Sequence, residues 1–260
     1  DLVTLTTDKL GALTTAAVAA LTTAQVASLT TDQIVGLTAA QTGALTTDQV
    51  VALTTTQASK LSTSSAAALT ATQVAALQTA DLVKLSTDAV AALSSSAVSA
   101  LTTSQIAALT TSQAVALTTD QIKQLGTAQV VALTSAQAGV LTSDQVSALS
   151  ATQVSKLETA DLAKLSTTAV AALSSAQTRS LTTDQVVALS TAQAASLSTT
   201  SAAALTSAQV TALETADLAK LSTDAIAALT TAALRGLGSD QVAALTTGQL
   251  AAVSTAQLAS

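Results

Sequence analysis

Leucine returns at every eighth position of the chain, from Leu5 to Leu245, and the next position in the same register is Val253. We label the eight residues of one octad a to h, beginning at that leucine. Positions b and c are mostly Thr or Ser, position e is Gln in 20 of 32 octads, and position f is usually Val, Ile or Leu. Positions g and h are mainly Ala, so the consensus octad is Leu-Thr-Thr-x-Gln-Val-Ala-Ala.

A period of eight residues does not suit one continuous helix or strand. Two α-helical turns span about 7.2 residues, so the leucines would drift by about 80° around a continuous helix in each octad. In a strand, positions a and f would lie on opposite faces, and Ala is a poor strand former. The pattern therefore favours short helices that are interrupted at each hydroxyl pair.

The octad Leu45 to Ala52 contains the signals that start a helix. Thr46 can accept a hydrogen bond from the backbone N–H three residues on, while Gln49 reaches back to the Thr46 N–H, which is a capping box. Leu45 and Val50 then occupy the two positions of a hydrophobic staple. We therefore expect helix starts at position b, with Gln49 as a capping residue or, alternatively, in side-chain ladders between neighbouring rods.

Charged residues agree with this helix direction. Asp recurs at position d, as in Asp48, and five of the seven lysines lie at position h, so acids lie near the helix start and bases near its end. The helix dipole favours this arrangement. Leu53 begins the next octad, so each helix leads directly into the start of the following one.

Position c is as regularly hydroxylic as position b, which leaves the cap position open. In three octads position b is Gln or Glu, and the cap there could move by one residue to the Thr at position c. The residues concerned are Gln78, Glu158 and Glu214 at b, and Thr79, Thr159 and Thr215 at c.

One octad cannot fold alone. Ordering eight residues costs roughly 8–16 kcal/mol of backbone entropy, whereas burying one Leu and one Val returns only about 3–6 kcal/mol. Stacked octads can share a continuous aliphatic core. We therefore predict an all-α solenoid of very short helices, about 6–7 residues each, one per octad. Residues 1–260 are expected to form a single continuous array that is a segment of a longer chain.

The composition argues against several classes of function. The chain has no His, Cys or Met and no aromatic residue, so the usual catalytic acids, bases and thiols are missing, and we expect neither an enzyme nor a cofactor or metal. A net charge of −6 from 24 ionisable side chains offers no basic surface for nucleic acid. No apolar run approaches the roughly 20 residues of a membrane span, and no small-molecule substrate is indicated.

Three octads carry an Asp and a Lys three residues apart on a predicted helix surface. Such pairs contribute only a few tenths of a kcal/mol, about 0.2–0.5 kcal/mol, or they mark lateral contacts between rods. They are Asp81 with Lys84, Asp161 with Lys164, and Asp217 with Lys220.

The array, in stretches such as LTTDQVVAL, LTTAQVASL and LTTSQIAAL, resembles the octapeptide repeats of very long bacterial surface or secreted proteins. That resemblance implies an extracellular or cell-surface location. We expect a structural protein that forms a filament, sheath or adhesin stalk with copies of itself as partners. The alternative is a binding module whose Thr and Ser face recognises carbohydrate or ice, although helix capping already explains those hydroxyls.

Overall fold

The computed structural model describes residues 2–258, and this part of the chain is helical without strands. A 3-10 helix covers Leu2–Thr4, and one α-helix follows in each octad. Helices α1 to α16 are Thr7–Gly11, Thr15–Ala19, Thr23–Ser28, Thr31–Gly36, Ala39–Gly43, Thr47–Val51, Thr55–Ala58, Thr63–Ala68, Ala71–Ala76, Thr79–Leu82, Thr87–Ala92, Ser95–Ser99, Thr103–Ala108, Thr111–Ala116, Thr119–Gln124 and Thr127–Val131. Helices α17 to α32 are Ser135–Ala138, Ser143–Ala148, Ala151–Val154, Thr159–Leu162, Thr167–Ala171, Ser175–Ser180, Thr183–Val187, Thr191–Ala195, Thr199–Ala204, Ser207–Ala212, Thr215–Leu218, Thr223–Ala228, Thr231–Leu234, Ser239–Ala244, Thr247–Ala252 and Thr255–Leu258.

The prediction of one short helix per octad is confirmed, but the helices are shorter than the expected 6–7 residues. They contain four to six residues, because positions a and b are not helical. Thr46 has the extended backbone of an N-cap, with φ −71° and ψ 160°, and Leu37, which ends α4, is extended at φ −64° and ψ 130°. Two to four residues of each octad thus serve as the link between helices.

The helices end without the left-handed residue that commonly terminates a helix. Within residues 2–258 no residue, glycine included, has a positive φ. The chain instead turns at the leucine of position a, whose N–H donates to the carbonyl of position f, as in Leu53 N to Val50 O at 3.2 Å. This ending leaves the last carbonyls of each helix partly unsatisfied.

Burial follows the octad. In the octad that begins at Leu45, the leucine is 5% exposed, Gln49 1% and Val50 0%, whereas the neighbouring Val51 is 41% exposed. The core is therefore a continuous row of positions a and f with the glutamines of position e beside them. Positions b, c and d face solvent or are half-buried.

The chain divides into two compact units, Asp1–Ala132 and Leu133–Ser260, and each is a solenoid in itself. In both units a helix packs against the helices three before and three after it. In the first unit α5 contacts α2 and α8, and in the second unit α24 contacts α21 and α27. The regular solenoid of short helices is confirmed, while the expectation of one uninterrupted array over residues 1–260 stays a prediction.

The difference in burial between two adjacent valines predicts that their substitution by alanine changes stability to different extents. We expect Val50→Ala to lower the free energy of unfolding by roughly 1.5–3 kcal/mol, because two buried methyl groups are lost and a cavity remains. Val51→Ala removes the same atoms from the surface and should change it by less than about 0.5 kcal/mol. Urea denaturation of both variants measures the difference, and equal losses would contradict the assignment of position f to the core.

Candidate functional site

A row of glutamines at position e is the most regular polar feature of the molecule. Gln49 Oε1 accepts the N–H of Thr46 at 2.8 Å, and Thr46 Oγ1 accepts the N–H of Gln49 at 3.2 Å. This is the predicted capping box, and the same pair of bonds recurs in most of the octads that have Gln at position e.

The amide nitrogen of most of these glutamines makes a second hydrogen-bonded contact, which the octad pattern does not predict. Gln49 Nε2 donates to Val18 O at 2.9 Å, Ala19 O at 3.2 Å and Leu21 O at 2.7 Å. These acceptors are the last carbonyls of α2 and the leucine that follows it. The glutamine therefore caps the start of its own helix and the end of a helix in the preceding turn.

The register of this bond is constant within each unit. The acceptors lie 31 and 28 residues before the glutamine, and 28 residues are three and a half octads, so one turn of the solenoid holds between three and four octads. The glutamines that make this bond are Gln33, Gln41, Gln49, Gln57, Gln73, Gln105, Gln113, Gln121 and Gln129 in the first unit, and Gln177, Gln185, Gln193, Gln209, Gln241, Gln249 and Gln257 in the second.

The orientation of the amide follows from its surroundings. An N–H lies on one side and carbonyl oxygens lie on the other, so only one assignment of oxygen and nitrogen satisfies both. Since both ends of the Gln49 amide bond within the solenoid, they are not available for ladders between rods. A signal in the sequence could have shown this role: Glu would serve equally in a capping box, yet position e never contains Glu.

Gln25 lies in the first turn and separates the two roles of the glutamine. Its Oε1 accepts the Thr22 N–H at 2.8 Å, so the capping box is complete. Its side chain is exposed, and its Nε2 has no acceptor among the residues that the structure describes. Gln25 is therefore a natural reference for a glutamine that caps without joining two turns.

We expect Gln25→Ala and Gln49→Ala to lower the free energy of unfolding by different amounts. Gln25→Ala loses only part of a cap and should lower the free energy of unfolding by about 0.5–1 kcal/mol. Gln49→Ala also leaves buried carbonyls unsatisfied, which adds about 1–3 kcal/mol. Urea denaturation of the two variants against the parent chain measures this, and similar losses would show that the contact between turns contributes little.

The helix start stays at position b even where b has no hydroxyl. The N-caps of α10, α20 and α27 are Gln78, Glu158 and Glu214, each without a side-chain capping bond. A shift of the cap to Thr79, Thr159 or Thr215 is therefore wrong. The physical reason is that position b has the extended backbone of the link in every octad, and packing between turns fixes where the helix begins.

A hydroxyl at position b of α20 should stabilise the protein. Glu158→Ser supplies a side-chain acceptor for the first-turn N–H groups, of which the Asp161 N–H now bonds to the Glu158 carbonyl at 3.0 Å. We expect a gain of about 0.5–1.5 kcal/mol. Glu158→Ala removes the same charge without supplying the acceptor and should give no gain. Thermal unfolding followed by circular dichroism compares the two variants, and equal midpoints would contradict a capping effect.

Three aspartates replace glutamine at position e, and the prediction that they form surface ion pairs is wrong. Asp81, Asp161 and Asp217 are 2%, 1% and 2% exposed. Position e faces the preceding turn, whereas the lysines at position h, three residues on, are exposed. Among the described residues no ion pair joins these aspartates to Lys84, Lys164 or Lys220. Whether the lysines contact another rod stays a prediction.

The environments of two of these carboxyl groups differ. Oδ2 of Asp81 and Oδ2 of Asp161 are buried and lack a hydrogen-bond partner within residues 2–258. Asp161 Oδ1, however, accepts a hydrogen bond from Ser135 Oγ at 2.6 Å. Burial raises the pKa of Asp81 above its ordinary value, because the charged form loses its hydration.

The surface offers little that resembles a site for a metal or a small ligand. A hollow of about 560 Å³ is lined by Glu214, Thr215, Ser239 and Asp240 among others. Within residues 2–258 no three acidic side chains lie together closely enough to hold a metal ion. Asp48 lies exposed in the first turn of its helix, as expected. No described helix has the length and apolar character that crossing a membrane requires.

These features together define a repeat protein of the solenoid class, in which buried glutamine amides join successive turns within each unit. The chain belongs to the ALTTAQ repeat family. The matched segments are residues 1–31, 27–55, 74–111, 114–151, 154–191 and 210–247. Comparison with curated proteins and with solved structures gives no match.

Proposed function

We propose that this chain is an extracellular structural protein whose turns stack into a filament, sheath or adhesin stalk, with copies of itself as partners. The observation that carries this proposal is the bond between turns. Its acceptors are backbone carbonyls, which every octad presents whatever its side chains. Any turn can therefore receive another turn of the same kind.

The last described turn leaves its receiving face uncovered. Val242 and Leu250 at position f are 47% and 43% exposed, whereas Val210 and Leu218, at the same position one turn earlier, are 0% exposed. A hollow of about 220 Å³ lies beside these side chains, lined also by Leu234, Leu237 and Leu245. An apolar surface of this kind favours burial against another turn.

The first turn presents the complementary groups. The Gln25 side chain is exposed and its amide nitrogen has no acceptor within the described residues. The carbonyls of Leu237 and Leu245 receive no glutamine amide from the described part of the chain. The donors of the first turn and the acceptors and apolar side chains of the last turn each fit another turn of the same repeat, whether that turn belongs to a continuation of the chain or to another molecule. For assembly of residues 1–260 alone we commit to a second copy as the partner, joined head to tail.

The extracellular setting rests on the composition and on the resemblance described above. A chain without Cys or Met has no thiol or thioether to oxidise, which suits a bulk material outside the cell. The alternative function, binding of carbohydrate or ice by the Thr and Ser face, has less support. The hydroxyls of position b, such as Thr46 Oγ1, already accept helix N–H groups, so their regular spacing follows from capping alone.

The double variant Val242→Asp with Leu250→Asp tests the head-to-tail contact. Two charges on the apolar face would have to be desolvated on stacking, so assembly should be lost while the monomer stays folded. We expect sedimentation velocity to show growth of the parent chain with concentration and a constant monomer for the variant. Negative-stain microscopy should show fibres of constant width only for the parent.

Val187→Asp is the matched control. Val187 is 46% exposed, close to the exposure of the two replaced side chains, but it lies at position g on the side of the solenoid. This variant should assemble like the parent if copies join end to end. Dispersed monomers of the parent chain at every concentration would overturn the structural proposal, and loss of assembly in Val187→Asp alone would show lateral contacts instead.

A further inference from the structure

Asp81 stands in the row where glutamine joins one turn to the next. The residues 31 and 28 positions before Asp81, which correspond to the two shortest contacts of Gln49, are Val50 and Leu53. Leu53 O receives no hydrogen bond from any described residue. Gln78 Nε2 donates to the neighbouring Val51 O at 2.9 Å, which replaces the missing amide only in part.

The protonation state of Asp81 decides whether it suits this place. An ionised carboxylate only accepts hydrogen bonds, whereas a protonated carboxyl has one O–H to donate. Leu53 O is an acceptor, and Asp81 Oδ2 is buried without a partner among the described residues. A protonated Asp81 therefore keeps a donor in the place of the glutamine amide, whereas an ionised Asp81 is a buried charge whose Oδ2 has no donor among residues 2–258.

The helices around Asp81 supply no compensating charge in the core. α10 packs against α7 and α13, and it bonds to α6 through Gln78 and to α14 through Gln113. Helices α7, α13 and α14 contain no titratable residue. The charged residues in or directly after these elements are Asp48 on α6, Lys60 after α7 and Lys84 after α10, and all three are exposed.

Asp161 provides a natural comparison within the same chain. Its Oδ1 accepts from Ser135 Oγ at 2.6 Å, and Ser135 lies 26 residues earlier. The matching residue before Asp81 is Thr55, whose hydroxyl donates no bond to Asp81 within residues 2–258. The carboxyl group of Asp161 therefore has a side-chain hydrogen-bond donor from the preceding turn, whereas Oδ2 of Asp81 has no partner among residues 2–258.

We propose that the contact between the turn of Asp81 and the turn of Leu53, which we call the Asp81 joint, is sensitive to pH. The two turns stay packed while the buried carboxyl is protonated and separate more readily when it ionises. The neighbouring turns, joined by glutamines, do not respond in this way. The joint lies within the first unit, so its action does not depend on whether copies assemble.

The direction of the pH effect follows from proton linkage. Burial raises the pKa of Asp81 in the folded protein, so the folded state binds its proton more tightly than the open state does. The stabilisation is complete below the ordinary pKa of an aspartate and is lost as pH rises through the raised value. The joint is thus tightest below the ordinary pKa of an aspartate and loosens as the pH rises above it.

Hydrogen exchange with the parent chain and Asp81→Asn tests the proposal. Asparagine has the same shape and keeps an N–H donor at every pH, so its joint should stay closed. We expect protection factors of the Leu82 and Leu85 amides in the parent chain to fall as the pH rises above about 4, the ordinary pKa of an aspartate, by up to about tenfold per pH unit while the carboxyl titrates. In Asp81→Asn they should stay constant.

Two further variants serve as controls. Asp48→Asn removes an exposed carboxylate from a neighbouring helix and should leave the pH dependence at Leu82 and Leu85 as in the parent. Asp81→Gln restores the consensus octad and should match Asp81→Asn, which guards against an effect of asparagine on local folding. Parallel pH profiles for the parent, Asp81→Asn and Asp81→Gln would overturn the proposal.

Discussion

The fold depends on one side chain that caps two helices at once. An α-helix leaves four N–H groups and four carbonyls without partners, so in helices of four to six residues most backbone groups lie at an end. Gln49 satisfies an N–H of its own helix with Oε1 and carbonyls of α2 with Nε2. The contact that stacks one turn on another therefore also satisfies backbone groups that such short helices leave without partners.

This constraint also explains the eight-residue period. The link needs two extended residues, a leucine that turns the chain and a hydroxyl residue that caps, and the helix needs enough length to place position e at N3 and position f in the core. Leu45 and Val50 are both buried, with Gln49 between the turns and Val51 already at the surface. A longer helix would rotate further residues out of the core, and a shorter one would lose the capping box.

Much of this was predictable from local sequence because capping is a local interaction. The helix start, its capping box and the buried Leu and Val rows follow from residues within one octad, such as Thr46 with Gln49. The contact between turns was not predictable in the same way, because it joins residues 28 to 31 apart and its acceptors are backbone atoms that leave no pattern in the sequence. The prediction that Asp81 lies on the surface was wrong for the same reason, because only the neighbouring turn buries position e.

Recognition of backbone by side chain also accounts for how such an array can lengthen. The stretch from residue 61 to 93 reappears with seven substitutions from residue 197 to 229, a copy shifted by a whole number of octads. A bond between two side chains would require both partners to be duplicated in the right register. Here the acceptor is a carbonyl that any octad supplies, so a block inserted in whole octads keeps every donor opposite an acceptor. Duplication therefore adds length without requiring compensating substitutions, and departures at position e, such as Asp81, alter one joint and leave the rest of the array intact.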